Sequence, residues 1–285
     1  MVKIVTDSVS QFPKVLAQEL DVGIVPFPII IDGKSYRDGI DIQPEELYHR
    51  MRTEEIFPTT SHPSPGEYAA AIRKPLEAGA EAVVFIGMIA SLSGAFASAQ
   101  EGAEIVQKEF PDRRVIAIDS GIVTLAQGFL VLEAAKAAQA GADLEAVLKL
   151  IEENKPRVGF FATLQTLEYL ARGGRIGRAA HLAGTVLRIK PILTVGQDGV
   201  VGPVGQALGL SMAYRQVVSH VEKAVGHPSY LRIGIMQADA PKEATELERL
   251  ARERLAPDEI IPSTFTPVMA AHTGPGLFGI AYHYK

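Results

Sequence analysis

Apolar and polar positions along this chain follow two rhythms. Compact runs of Val and Ile recur between stretches whose apolar residues return every three or four positions. Residues 2–6 form the first such run, before Asp7-Ser8, which is read as opening a helix to about Leu20. Residues 22–31 are a second strand region, closed by the turn Asp32-Gly33, and residues 43–52 have helical composition. In Ser64-Pro65-Gly66-Glu67, Ser stands at an N-cap, Pro in the first turn and Glu three residues on, which predicts a helix running to Gly79. Residues 82–88 are apolar throughout, as in a strand covered on both faces of a parallel sheet. A helix to about Phe110, a strand over 115–118 and helices over 123–140 and 143–153 follow, the last capped by Asp143.

Lys155-Pro156 breaks this series. Beyond it, residues 159–162, 191–195, 231–238 and 277–284 read as strands, with helices at about 208–224 and 241–255 between them. The alternation predicts an α/β fold with two lobes, each a sheet flanked by helices. An N-terminal α/β domain is expected over 1–156 and a C-terminal one over 157–285.

The chain has 285 residues, 47% apolar and 21% charged, with a net charge of −5, so no basic field draws it to nucleic acid. It has no cysteine, and its seven histidines form no HxH or HxxxH pair, so neither thiolate chemistry nor a metal site is expected. The N-terminus lacks the pattern of a signal peptide, and no apolar run is long enough to span a bilayer. A cytoplasmic protein without stable membrane insertion is expected, monomeric by default.

Three polar stretches stand out against this apolar background: Thr59-Thr60-Ser61-His62-Pro63-Ser64, Ser91-Leu92-Ser93-Gly94 and His272-Thr273-Gly274-Pro275-Gly276. Converging hydroxyls and an imidazole can hold a carboxylate at the mouth of an apolar pocket. Two apparent nucleotide motifs fail on physical grounds. Gly274 to Gly279 matches GxGxxG, but a strand-like tail follows where a helix is needed to hold a pyrophosphate. Gly33-Lys34-Ser35 resembles the end of a P-loop, yet Pro28 stands where its first glycine belongs. Ser93 sits between strand and helix as a hydrolase nucleophile does, but Ser91 replaces the first Gly of the elbow and Gly94 comes one place early.

Taken in order, Thr6-Asp7-Ser8, Thr60-Ser61-His62-Pro63-Ser64, Ser91-Leu92-Ser93-Gly94, Leu167 to Ile176 (LEYLARGGRI), Lys190-Pro191-Ile192-Leu193 and His272-Thr273-Gly274-Pro275-Gly276 resemble the DegV family of bacterial fatty-acid-binding proteins, essentially end to end. The resemblance implies a two-domain DegV-like fold that buries one long-chain acyl tail, with no cofactor. It implies that Thr60 and Ser93 hold the carboxylate with His272 nearby, Ser61, Gly94 and Arg175 beside them. Members of this type serve as the lipid-carrying subunit of a fatty acid kinase, presenting the acid to a separate ATP-binding subunit. The chain itself is then a carrier, not an enzyme. Two departures are visible. His62 stands where the family often has Gln, and residues 205–210 carry no charge where kinase-docking relatives usually have Lys and Arg.

Burying roughly fourteen methylenes at about 0.8 kcal/mol each gives on the order of 11 kcal/mol before ordering costs, so the tail supplies most of the affinity. A carboxylate loses several kcal/mol on leaving water unless donors replace it, so the head-group cluster selects the acid and sets its depth. Each residue also has a plainer role open to it. Ser93 reads equally as an N-cap, Thr60 as a loop hydroxyl bonding its own backbone, and His272 as a turn histidine. Arg175 either neutralises an anion or caps helix carbonyls. Asp7 and Ser8 end a strand where α/β sheets place ligands, or simply cap the next turn. His62 and Thr273 are near the proposed mouth by sequence alone. Candidate walls are residues 22–31, 160–161 and 164–170. Competing functions are a Ser93/His272 acyl esterase and a regulatory, lipid-bound scaffold.

Overall fold

The computed structural model describes residues 1–182, 189–196 and 198–285. The first half is built from β1 (Val2–Asp7), α1 (Lys14–Glu19), β2 (Gly23–Val25), β3 (Pro28–Ile31), β4 (Lys34–Arg37), α2 (Pro44–Thr53), β5 (Thr59–Thr60), α3 (Pro65–Glu77), β6 (Ala82–Gly87), α4 (Ala95–Glu109), β7 (Arg114–Asp119), α5 (Thr124–Gln139) and α6 (Leu144–Asn154). β2, β1, β6 and β7 pair in that order as a parallel sheet. Side chains alternate across it: Val5, Val83 and Phe85 pack on α3 and α4, while Ile4, Val84 and Ile86 pack on α5 and α6. Such a sheet, covered on both faces, is why residues 82–87 are apolar without a break. Ser64 makes the expected capping box with Glu67.

Two expectations fail at prolines. The helix read from Asp7 to Leu20 is instead a single 3₁₀ turn over Ser8–Ser10, a left-handed Gln11, and then α1. Pro13 disfavours helical backbone at the residue before it and starts the helix afresh. The strand region 22–31 splits at Pro26, where no N–H is available to continue a ladder. β2 joins β1, whereas β3 enters a separate antiparallel sheet of order β4-β3-β5. That small sheet carries Thr60.

The second half contains β8 (Val158–Thr163), α7 (Glu168–Arg172), β9 (Ile189–Val195), β10 (Val201–Leu208), α8 (Leu210–Val225), β11 (Leu231–Ala238), α9 (Pro241–Leu255), β12 (Glu259–Thr264), α10 (Pro267–Thr273) and β13 (Leu277–Tyr284). Its sheet has the order β10-β9-β8-β13-β11-β12, antiparallel except between β11 and β12. β13 therefore ends the GxGxxG match in a strand. α8 and α9 cover one face of this sheet, and α5 lies against the other. Packed between two sheets, α5 is buried almost all round, from Thr124 to Ala135. Its Glu133 binds the buried Arg232 of β11 at 2.9 Å and Lys285 at 2.6 Å. His283 joins them, 3.3 Å from Arg232 and 2.7 Å from Asn154. The lobes are thus fastened at one end by ions and along their length by α5.

Candidate functional site

Between the two sheets lies a cavity of about 190 Å³, against roughly 300–1,000 Å³ for typical small-molecule sites. Its walls are mostly apolar and come from both halves: Val9, Phe27 and Met88 on one side, Phe160, Leu193 and Phe265 on the other. Among the expected wall segments, Phe27, Phe160, Leu164 and Leu170 line it. Phe161 points away and packs against His220 and Tyr282 on the α8 side. That division follows from the strand alternation of β8.

Thr60, Ser61, Ser93, Gly94, Arg175 and His272 all line this hollow, with Arg175 reaching Leu92 O and Gly173 O and Gly173 abutting His272; Thr124 and Thr194 also contribute hydroxyls to the wall. β5 pairs Thr60 with Ile29, and α10 ends at Thr273, so two segments 212 residues apart bring the Thr60 hydroxyl within 2.8 Å of His272 Nε2. Burial, with the Arg175 charge nearby, lowers the His272 pKa to about 4, so the imidazole is neutral at pH 7. Its Nδ1 is buried with no hydrogen-bond partner among the described residues. Gly173 packs against that nitrogen; a Cβ there would come within 2.7 Å of it. If Nε2 carries the imidazole proton and donates to Thr60, the threonine O–H is left free to donate to a ligand.

Ser93 ends the 3₁₀ turn over Ala90–Leu92, and its Oγ accepts the Ala95 N–H at 3.1 Å across the start of α4. Ser93 is thus not the N-cap, a place taken by Gly94, but its oxygen still satisfies one N–H of the first turn, and the hydroxyl keeps its proton to donate. Gly94 lies against His62, whose Nε2 would be 3.2 Å from a Cβ at that position. His62 is exposed at the rim, with Nδ1 near Pro63 O (3.1 Å) and Ser98 Oγ (3.2 Å). Ser61 lines the hollow while its N–H donates to Pro28 O. Arg175 caps carbonyls, donating to Gly173 O (2.5 Å) and Leu92 O (3.2 Å), and it also lines the hollow. The Thr273 hydroxyl is used internally, donating to Met269 O at 2.9 Å.

Asp7 and Ser8 are not among the lining residues. Asp7 Oδ1 accepts from Val9 N and Gln127, and Oδ2 from Met88 N; Ser8 Oγ accepts from Phe27 N at 3.1 Å. They hold the wall from behind. The Ser93/His272 esterase pair is also not assembled: Nε2 bonds Thr60, and no carboxylate orients Nδ1 among the described residues. Nor does any group of His, Asp or Glu there suit a metal ion, and no described helix is long and apolar enough to cross a membrane.

Two contributors were not anticipated. α10 as a whole, with Val268 and Met269, reads too briefly and too uniformly apolar for any periodicity to show. Thr124, a lining residue with φ of 67°, is a β-branched side chain in a left-handed conformation. Only the preceding Gly121, also at positive φ, hinted at a tight turn there.

All 285 residues match the family model described as "Uncharacterised protein, DegV family". A DegV domain-containing protein from Caldanaerobacter subterraneus subsp. tengcongensis is 33% identical over 284 residues, covering 100% of this chain and 99% of the relative. Among solved structures, a DegV family protein from Thermus thermophilus, described for its fatty acid binding, is 33% identical with a TM-score of 0.91. A stearic-acid-binding protein from Eubacterium ventriosum is 29% identical, also with a TM-score of 0.91; each comparison covers 100% of this chain and 99% of the other. DegV from Bacillus subtilis, a fatty acid binding protein, is 28% identical with a TM-score of 0.88, at the same coverage. With family model, fold and full-length similarity in agreement, the chain belongs to the DegV family.

Proposed function

We propose that this protein binds one long-chain fatty acid, with the tail in the cavity between the sheets and the carboxylate at the Thr60–His272 pair. The observation that carries the reading is that pair, 2.8 Å apart, lining a mainly apolar hollow. Thr60 and Ser93 donate to the carboxylate from the first half of the chain; His272, in the second half, orients Thr60. Ser61 and Gly94 frame the head group, and Arg175 supplies positive charge at the mouth. A neutral imidazole suits this work: it fixes the threonine proton without bringing a second desolvated charge. The described fatty acid binding of the Thermus, Eubacterium and Bacillus proteins supports the same reading.

Acting alone, the protein is a carrier. Its further role is to present the acid to a separate ATP-binding kinase subunit, which makes the acyl phosphate. Residues 205–210 lie at the end of β10, the edge strand, and run into α8, with Leu208 and Leu210 exposed. Any docking there is therefore apolar in character.

The direct test is extraction of recombinant protein followed by mass spectrometry. A long-chain acid in near-stoichiometric amount is expected; no acid extracted, and no palmitate taken up on incubation, rejects the reading. The kinase role is tested by ATP-dependent formation of acyl phosphate when a candidate kinase subunit is added. No product with any such subunit leaves the carrier and rejects the presentation.

A further inference from the structure

Several hydroxyls line the hollow, and most have work within the protein or at the head group. Thr60 is paired with His272, and Ser93 reaches across the start of α4. Thr194 spends its proton on Phe160 O at 2.7 Å, and Thr273 on Met269 O at 2.9 Å. Ser61 is exposed to water. Thr124 fits none of these roles. Its side chain lines the hollow at 1% exposure, and among the described residues no group accepts its proton. Its Oγ1 accepts the Ala126 N–H at 3.4 Å, too long to be more than a weak contact.

The backbone fixes this side chain in place. Asp119 Oδ1 accepts Gly121 N at 2.8 Å, Ser120 Oγ donates to Ile122 O at 2.9 Å, and Ile89 N donates to the same carbonyl at 3.0 Å. The turn before α5 is thus pinned to the loop that follows β6. Thr124 leaves it at φ 67°, in the left-handed region. A β-branched residue is strained there, whereas Gly adopts that conformation freely. Gly would also leave no proton unmatched in an apolar wall. Thr124 therefore carries two local penalties, and both serve to bring a hydroxyl to the space taken by the tail.

We propose that Thr124 reads an oxygen carried on the acyl chain itself, so that the hollow takes an oxo fatty acid whose keto group accepts the Thr124 O–H. The inference rests on the reading that the hollow takes an acyl chain, and adds a substrate class to it. A keto oxygen only accepts, so one donor satisfies it. A ligand hydroxyl would bring a proton of its own, and the side chains of Val9, Met88, Val123 and Phe265 around the hollow offer it no acceptor. A plain alkyl tail leaves the Thr124 proton unmatched, and a buried ketone without a donor is equally unfavourable. Brought together, each removes the other's penalty. The position along the chain is set as well, because the carboxylate is held at Thr60 and Ser93 while Thr124 is held by its turn.

A series of ketostearates, with the carbonyl moved stepwise along the chain, tests this by displacement of a fluorescent fatty acid. Wild-type protein is expected to bind one isomer, or two adjacent ones, about fivefold or more tighter than the rest, the worth of one neutral hydrogen bond. A flat series overturns the proposal and needs no variant to fold. Thr124→Val keeps the shape and removes the hydroxyl, so it should erase that preference while binding stearate as the wild type does, or slightly tighter. Thr124→Ser keeps the hydroxyl and should keep the preference. If Thr124→Val weakens stearate as much as the favoured ketostearate, the hydroxyl serves the head group or the fold, and the proposal is refuted. Oleate weakened to the same degree refutes it too, since a double bond is then what is read. If stearate binds and no isomer is preferred, this inference fails and the carrier stands; if neither binds, the acyl reading fails and this one falls with it.

Discussion

Replacing Thr60 with valine isolates the head-group cluster, because the shape is kept and only the hydroxyl is lost. That hydroxyl is bonded to His272 Nε2 at 2.8 Å, and His272 is neutral at pH 7 with its other nitrogen unpartnered. The carboxylate of a bound acid then loses a charge-assisted hydrogen bond worth about 1.5–3 kcal/mol, which weakens binding roughly ten- to a hundredfold. A long-chain alcohol loses only a neutral bond of about 1 kcal/mol, or roughly fivefold. Displacement of a fluorescent fatty acid by palmitate and by hexadecanol, in wild type and Thr60→Val, measures both. The free protein should also lose about 1–3 kcal/mol of stability, since the imidazole is left buried with neither nitrogen bonded. Equal weakening of acid and alcohol would refute the carboxylate assignment, and no weakening of either would remove Thr60 from the site.

Gly173→Ala drives a Cβ within 2.7 Å of His272 Nδ1, whereas Gly174→Ala meets nothing within 4 Å and suffers only from its φ of 71°. Both should lower stability by about 1–2 kcal/mol, but only Gly173→Ala should weaken palmitate binding; a calorimetric titration of the two compares them. Glu133→Ala leaves the buried Arg232 with one half-exposed carboxylate, Glu259, beside the neutral contact to His283, and should cost about 3 kcal/mol in chemical denaturation. A loss under about 1 kcal/mol would show that the fastening of α5 is not ionic. Asp7 and Asp38 have raised folded values, so their stability contribution is full below about pH 4 and is lost as pH rises through about 6. At about two units each this is on the order of 3 kcal/mol per group. His272 has the opposite sign: its contribution is present above about 6.5 and is lost as pH falls towards 4. Denaturation of the Asp7→Asn, Asp38→Asn double variant should therefore gain on the wild type between pH 4 and 7, and parallel curves would contradict the burial of these carboxyls.

The parts of this molecule that could be read from the chain are those where one local signal dominates. Residues 82–87 had no polar position, so they had to be covered on both faces; Ser64 and Glu67 announced a capping box, and the structure has it. β10 and β12 were missed because Pro203 and Pro262 interrupt them and as edge strands they alternate too weakly to show. The site was legible as a set of residue types but not as an arrangement. Nothing near His272 in sequence says that its partner is Thr60, because the contact depends on β3 leaving the main sheet at Pro26 and carrying β5 with it. Asp7 shows the limit most clearly. The rule that ligands gather at strand ends pointed to the right place, yet Asp7 holds the backbone of residues that line the hollow and does not line it itself.

This division of labour has a physical reason. A fully ionised carboxylate directly against the tail would be desolvated without gain, since methylenes offer it no donors. One layer back, the same group finds backbone N–H groups at the ends of β1 and β6 that would otherwise be orphaned, and its charge is spread over the wall it supports. The head group is handled by the opposite choice: neutral hydroxyls and a neutral imidazole meet the one charge that the ligand brings. A tail worth on the order of 11 kcal/mol needs no further attraction from the site, only discrimination and a means of release. Neutral donors at the mouth supply the first. The second does not come from protonating Asp7 and Asp38: their values are raised by burial, so acid favours the buried arrangement that supports the wall.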